Sequence, residues 1–135
     1  MAVGDVVHAD WSTFAGRVAA IGDVSTTVVP DDASVVDGTD RYLMPGLAEM
    51  HGHVTGTSAA ELDRLFGLYL ANGVTTVRGM LGRPSHLELR RRLEEGGILG
   101  PRLVTSGPSF NGGSVDGPTQ AAAMVRDQHA AGYDF

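Results

Sequence analysis

The 135 residues carry sixteen acidic side chains against ten basic ones, all ten of them Arg, for a net charge of −6; there is no Lys and no Cys. With 42% hydrophobic and 19% charged residues, the composition fits a globular chain with a core and excludes a disordered polymer. It also excludes lysine chemistry, disulfides and thiolate metal sites within these residues, and it offers no basic patch for nucleic acid.

Met1 to Ile21 lacks a charged leader region, and Asp5, His8, Asp10 and Arg17 break its apolar stretches. No run reaches the roughly 18 apolar residues of a membrane helix, so the default expectation is a cytoplasmic protein without a membrane partner. The first 42 residues show no helical period. Short strands are expected at Val3–Val7, Arg17–Ile21 and Ser34–Asp37, separated by Gly16, Gly22, Pro30 and Gly38.

After Pro45 and Gly46 the rhythm changes. Leu47–His53 reads as a strand. It is followed by an apolar helical stripe of Leu62, Leu65, Phe66 and Tyr69, with Ser58 and Glu61 at capping-box spacing and Asn72–Gly73 as the stop. Val74–Met80 is a second strand. Pro84 suits the first turn of a helix over Leu87–Glu95 that Gly96–Gly97 ends. Arg102–Ser106 is a third strand, and Ala121–Ala131 a third helix closed by Gly132. Tyr133–Phe135 opens a candidate fourth strand. Strand-then-helix units at this spacing imply a parallel sheet of βαβ crossovers.

The chemistry concentrates in Leu47-Ala48-Glu49-Met50-His51-Gly52-His53. Residues two apart on a strand share a face, so simple alternation puts Leu47, Glu49, His51 and His53 on one side. Two imidazoles near the C-terminal end of a strand can converge on one divalent ion such as zinc. Glu49 is positioned to accept the free ring N–H of a ligating histidine. A bare His-x-His is often incidental, and spacing and position alone leave both readings open.

The segment Tyr42-Leu43-Met44-Pro45-Gly46-Leu47-Ala48-Glu49-Met50-His51-Gly52-His53 resembles the entry motif of the metal-dependent amidohydrolase superfamily, in which the chain leaves a small β-sandwich and begins a barrel with His-x-His. Gly16–Gly22 and Val35–Gly38 are similar to that family's sandwich strands, Asn72–Arg78 to its second barrel strand and Gly100–Gly107 to its third. The imidazolonepropionase-like and prolidase-like branch is the nearest in appearance. The resemblance implies an α/β fold: part of a small β-sandwich over 1–42, then a partial (β/α)8 TIM barrel of about three βα units over 43–135. It also implies a metal-dependent hydrolase that opens a C–N bond of an amide, cyclic amide or dipeptide by metal-activated water, with one or two divalent ions, usually zinc, and His51 and His53 among the ligands. Glu49 stands where many relatives have Asp, and Gly79 where many have an acid.

The family's remaining ligands come from later strands: a Lys or Glu from the fourth, His from the fifth and sixth, Asp from the eighth. None has a counterpart here, and 43–135 is short of the about 250 residues of a complete barrel. The expectation is a chain with no catalytic residue of its own, weak metal binding and a tendency to self-associate. The alternative is a non-catalytic half-barrel that oligomerises or pairs with a separately encoded second half.

Other residues carry less. His8, His86 and His129 read as surface or turn residues. Arg90-Arg91-Arg92 with Glu94-Glu95 reads as a solvated helix face with i, i+3 and i, i+4 ion pairs. Arg78 fits a buried ion pair or a substrate clamp. Ser106–Ser114 matches no phosphate-binding spacing. As the loop after the third strand it holds Ser109 and Asn111 as candidate substrate contacts, with an ordinary loop as the other reading.

Overall fold

The computed structural model describes residues 5–10 and 17–135, with side chains from Val18 onward. The chain divides into two compact units, Met1–Pro45 and Gly46–Phe135.

In the first unit, β1 (Asp5–Asp10) and β2 (Arg17–Asp23) pair antiparallel, from Asp5 opposite Asp23 to Asp10 opposite Arg17, with a slip between His8 and Ala9. Pairing carries the first strand beyond the expected Val7 to Asp10; Val3 and Gly4 lie outside the described residues. The expected strand at Ser34–Asp37 is absent: the backbone there is irregular, and Val35 and Val36 are 84% and 88% exposed. Valine content raises β propensity, but a strand needs a neighbour to take its main-chain bonds, and these four residues have none among the described strands.

The second unit is mixed α/β. A parallel sheet runs in the order β3 (Leu47–Gly52), β4 (Val74–Gly79), β5 (Arg102–Thr105), with α1 (Ala59–Ala71) between the first two strands and α2 (Pro84–Glu94) between the last two. α3 (Pro118–Ala131) follows β5. The helix signals act as read. Ser58 Oγ accepts the Glu61 backbone N–H, and the Glu61 carboxylate accepts the Ser58 N–H at 3.0 Å, so two orphan amides at the α1 N-terminus are satisfied reciprocally. Asn72 closes α1 and donates its side-chain amide to the Leu68 carbonyl at 2.8 Å. Pro84 and Pro118 open α2 and α3, and Gly132 ends α3 at φ +93°, a left-handed conformation that glycine enters without steric cost.

The core of this unit consists of Val54, Phe66, Val77, Leu89, Leu93 and Leu103, with Leu62, Leu65, Tyr69, Val74 and Ile98 packed around it. Val77 and Leu103 stand opposite each other in the β4–β5 register and so face one side, where α1 contributes Phe66 and α2 contributes Leu89 and Leu93. Burying side chains of this kind stabilises by about 1.5–3 kcal/mol each, which makes this layer the main source of stability in the unit. α3 buries no residue.

Tyr133–Phe135 does not continue as a strand. Instead the Asp134 N–H donates to the Thr105 carbonyl at 3.0 Å, while its carboxylate accepts the Thr105 N–H at 2.8 Å and pairs with Arg90 at 2.7 Å. Asp134 thus ties the end of β5 to Arg90 of α2, which lies 44 positions before it in the chain. No described helix is long and apolar enough to cross a membrane.

Candidate metal centre

His51 is the penultimate residue of β3, and His53 is the first residue beyond its end. Both are exposed, whereas Gly52 and Val54 between and after them are buried. Alternation at the end of the strand therefore sends Gly52 and Val54 into the core and the two imidazoles to the opposite side. The ring centres lie 5.2 Å apart, edge to face, with planes at 71°. Neither ring takes a hydrogen bond from any described residue.

Two neutral imidazoles are a suitable borderline donor pair for zinc. With Zn–N near 2.0–2.1 Å and tetrahedral angles, the centres of two rings on one ion sit roughly 5 Å apart, so the observed separation fits a shared ion. The pair is not a complete site. Among the described residues, no group of three or more His, Asp, Glu or Cys gathers within reach of one ion.

Glu49 does not lie where simple alternation puts it. The β3–β4 ladder pairs Glu49 with Val77 and Gly52 with Gly79, so Met50 and His51 together stand against Arg78 alone. This one-residue slip moves Glu49 onto the side of Val77 and away from the side of the two rings. Its Oε1 accepts the backbone N–H of His51 at 2.7 Å, and no bond joins it to either imidazole. The expected carboxylate–imidazole bond is thus replaced by a carboxylate–amide bond to the same residue.

The surroundings of His53 are held from the next unit along the sheet. The Met80 N–H donates to the Gly52 carbonyl at 2.8 Å, and Arg83 at the N-terminus of α2 donates to the Val54 carbonyl at 2.8 Å. His53, Val54, Thr55, Met80, Leu81 and Arg83 line an open depression of about 390 Å³ at the C-terminal ends of β3 and β4. Leu81 on its rim holds φ +53°, a left-handed conformation unfavourable for a residue with a Cβ.

The other candidates resolve individually. Asn111 Oδ1 accepts the Gly113 N–H at 2.8 Å and its own N–H donates to Ser114 Oγ at 2.9 Å, so its side chain serves the loop's own turn. Ser109 is exposed, and neither residue lines the depression around His53. Arg78 has no acidic partner among the described residues. Its guanidinium lies 4.0 Å from the centre of the Phe135 ring and 3.5 Å from the Met50 carbonyl. Arg91 makes the expected i, i+4 pair with Glu95 and a second pair, not expected from the sequence, with Glu88, while Arg90 leaves that face for Asp134. His129 is exposed in the last turn of α3, and the side chain of His8 lies outside the described residues.

His86 corrects its surface assignment. It is 3% exposed, and neither ring nitrogen has a partner. Burial and then the nearby Arg83 charge hold its pKa below the ordinary imidazole value, against a smaller opposing effect of the Val54 backbone. The missed signal was spacing: His86, Leu89 and Leu93 fall at i, i+3 and i+7 and form the buried face of α2.

No family model matches the chain. Two curated relatives are similar to it. An adenine deaminase from Moorella thermoacetica is 28% identical over 91% of this chain and 22% of its own length. An adenine deaminase 4 from Rhizobium meliloti is 36% identical over 54% of this chain and 12% of its own length. The chain thus spans about a fifth or less of either relative. Among solved structures, a proposed prolidase from Bifidobacterium longum superposes with a TM-score of 0.70 at 29% identity, covering 87% of this chain and 31% of that one. An amidohydrolase superposes at 0.68 and 21% identity, covering 87% and 38%, a likeness of fold.

Proposed function

We propose that this chain, a member of the amidohydrolase superfamily, supplies the first strands and the first two metal ligands of a hydrolase that opens a carbon–nitrogen bond. The observation that carries the reading is the His51–His53 pair, 5.2 Å between ring centres at the C-terminal end of the first parallel strand. The relatives' names, a deaminase and a prolidase, have hydrolytic attack at a carbon bonded to nitrogen in common. A small amide, cyclic amide, dipeptide or aminopurine is the substrate class.

In this reading the sheet β3-β4-β5 is the first arc of a TIM barrel, and the imidazoles stand at the end of the strands where such barrels carry their sites. A divalent ion, zinc by its suitability to imidazole, supplies Lewis-acid activation of water when bound. This chain's residues do the holding. His51 and His53 donate ring nitrogens, Glu49 fixes the backbone of His51, and Arg83 and Met80 fix the turn that carries His53. The loop with Ser109 and Asn111 borders the same end of the sheet as a substrate-side loop. Two imidazoles alone fall short of the three protein ligands of a catalytic zinc, so the 135-residue chain by itself binds zinc weakly and does not turn over substrate.

A second reading has its own observation. Leu47, Met50 and Val125 are each more than half exposed, and a half-barrel that self-associates or binds a second half would cover such surface. Calorimetric zinc titration of the purified chain, with hydrolysis assays on dipeptides, cyclic amides and adenine, tests the first reading. One zinc per chain is expected, lost in His51→Ala and in His53→Ala, without hydrolysis. Zinc binding indifferent to both substitutions overturns it, and sedimentation showing a stable dimer without metal binding favours the second.

A further inference from the structure

The β3–β4 ladder slips between Leu47 and Ala48 and again between Glu49 and Gly52, and the main-chain groups of the second slip have side-chain partners. A strand that inserts an extra residue leaves main-chain groups out of the ladder, and each needs another partner. Here Met50 and His51 are the two residues against Arg78. The His51 N–H is taken by Glu49 Oε1 at 2.7 Å, and the Met50 carbonyl faces the Arg78 guanidinium at 3.5 Å. The first is a short, charge-assisted bond; the second is at the limit of a contact.

The slip decides where the rings go. With Glu49 opposite Val77 and Gly52 opposite Gly79, Gly52 and Val54 turn into the core and His51 and His53 turn out together. Without the extra residue, strict alternation from Glu49 on the Val77 side would turn His51 and His53 toward the core and Gly52 outward.

We infer that Glu49 is a positioning residue that acts through the backbone: its carboxylate clamps the His51 amide in the slipped register and so sets the two imidazoles side by side. The inference rests on the reading of His51 and His53 as metal ligands. It assigns Glu49 a different action from that of a carboxylate bonded to a ligating ring, because its acceptor bond goes to the amide.

The test uses the full chain with Glu49→Ala and Glu49→Gln. Three quantities are read: amide hydrogen exchange at His51, the nuclear Overhauser contact between the two imidazole rings, and the zinc dissociation constant. In Glu49→Ala, exchange at His51 rises at least about tenfold while Val77 and Leu103 stay protected; the ring–ring contact is lost; and zinc binds about 10- to 100-fold more weakly. Glu49→Gln keeps an acceptor at the same reach, so it restores the ring contact and brings exchange and zinc affinity within a few-fold of the parent. Unchanged His51 exchange in Glu49→Ala, or a persistent ring contact, overturns the inference. So does a Glu49→Gln chain with a protected amide and zinc binding as weak as Glu49→Ala, which would assign the effect to charge at the metal. If the parent binds no zinc at His51 and His53, the functional reading fails, and exchange and ring contact still decide the clamp. If Glu49→Ala does not fold, Glu49→Gln alone decides: loss of its ring contact with the core amides protected overturns the rescue.

Discussion

Gly52 separates the two candidate ligands, and the core allows no larger residue there. A Cβ built on it would lie 2.8 Å from Val77 Cγ1 and 3.2 Å from both the Glu49 Cγ and the Tyr69 hydroxyl. Carbon–carbon contacts are comfortable near about 3.5–4.0 Å, so Gly52→Ala must open the β3–β4 contact by roughly 0.7 Å or push Val77 off its rotamer. Overpacking of this kind costs about 1–3 kcal/mol. Val77 is fully buried, and Val77→Ala on its own removes two methyl groups and leaves a cavity, for about 2–3 kcal/mol. The clashing atom in the first substitution is one of those the second removes. The double variant therefore loses about 1–2 kcal/mol less than the sum of the singles. Equilibrium urea unfolding of the four chains measures this directly. A Gly52→Ala chain as stable as the parent, or strictly additive losses, would show that Gly52 is not in contact with Val77 and would undo the packing on which the outward turn of His51 and His53 depends.

Other consequences can be measured alongside. Ser58→Ala removes one side of the α1 capping box and is expected to cost about 1 kcal/mol in urea unfolding; an unchanged midpoint contradicts the cap. Hydrogen bonds from the Ser58 and Thr57 backbone amides and hydroxyls hold the Glu61 carboxyl at about 2, below its unfolded value. Its contribution is thus present above pH ~4.5 and is lost as pH falls toward about 2. Glu61→Gln flattens that limb of the stability curve, and an identical acid limb would refute the assignment. His86 has the corresponding sign for a base. Its folded pKa is depressed, so the unfolded chain binds the proton more readily and stability falls as pH drops below about 6.5. His86→Leu removes two unpaired buried nitrogens and is expected to lessen the loss between pH 7.5 and 5.5; equal losses in both chains contradict this. Phe66→Ala, at a fully buried position, costs about 3–5 kcal/mol. Leu68→Ala on the exposed face of the same helix changes stability by less than about 0.5 kcal/mol, and similar losses at the two positions would refute the assigned face.

What the sequence discloses here follows the range of the interactions. The capping box needs only Ser58 and Glu61 three residues apart, and the helix ends at Asn72 and Gly132 are signalled just as locally, so both are legible. The β4 and β5 strands stand out because short segments with β-branched Val and Thr recur between amphipathic ones. The His51–His53 pair is legible as a motif. Its orientation is not, because the slip that turns the rings out is set by the pairing of Glu49 and Gly52 with Val77 and Gly79, about 27 residues away. Asp134 is similarly opaque, since its partners are Thr105 and Arg90. At Ser34–Asp37 local valine content misleads, because propensity without a pairing partner does not make a strand. His86 shows the reverse: a polar residue whose helical spacing with Leu89 and Leu93 outweighs its type.

The central claim is that His51 and His53 share one divalent ion. Nitrogen-15 NMR of the five histidine side chains during a zinc titration tests it most directly, because each imidazole reports its own ligation. The account predicts that the signals of His51 and His53 move together and saturate at one ion per chain, while those of His8, His86 and His129 stay in place. Movement of only one of the pair, or of His8 or His129 in preference to it, would contradict the account.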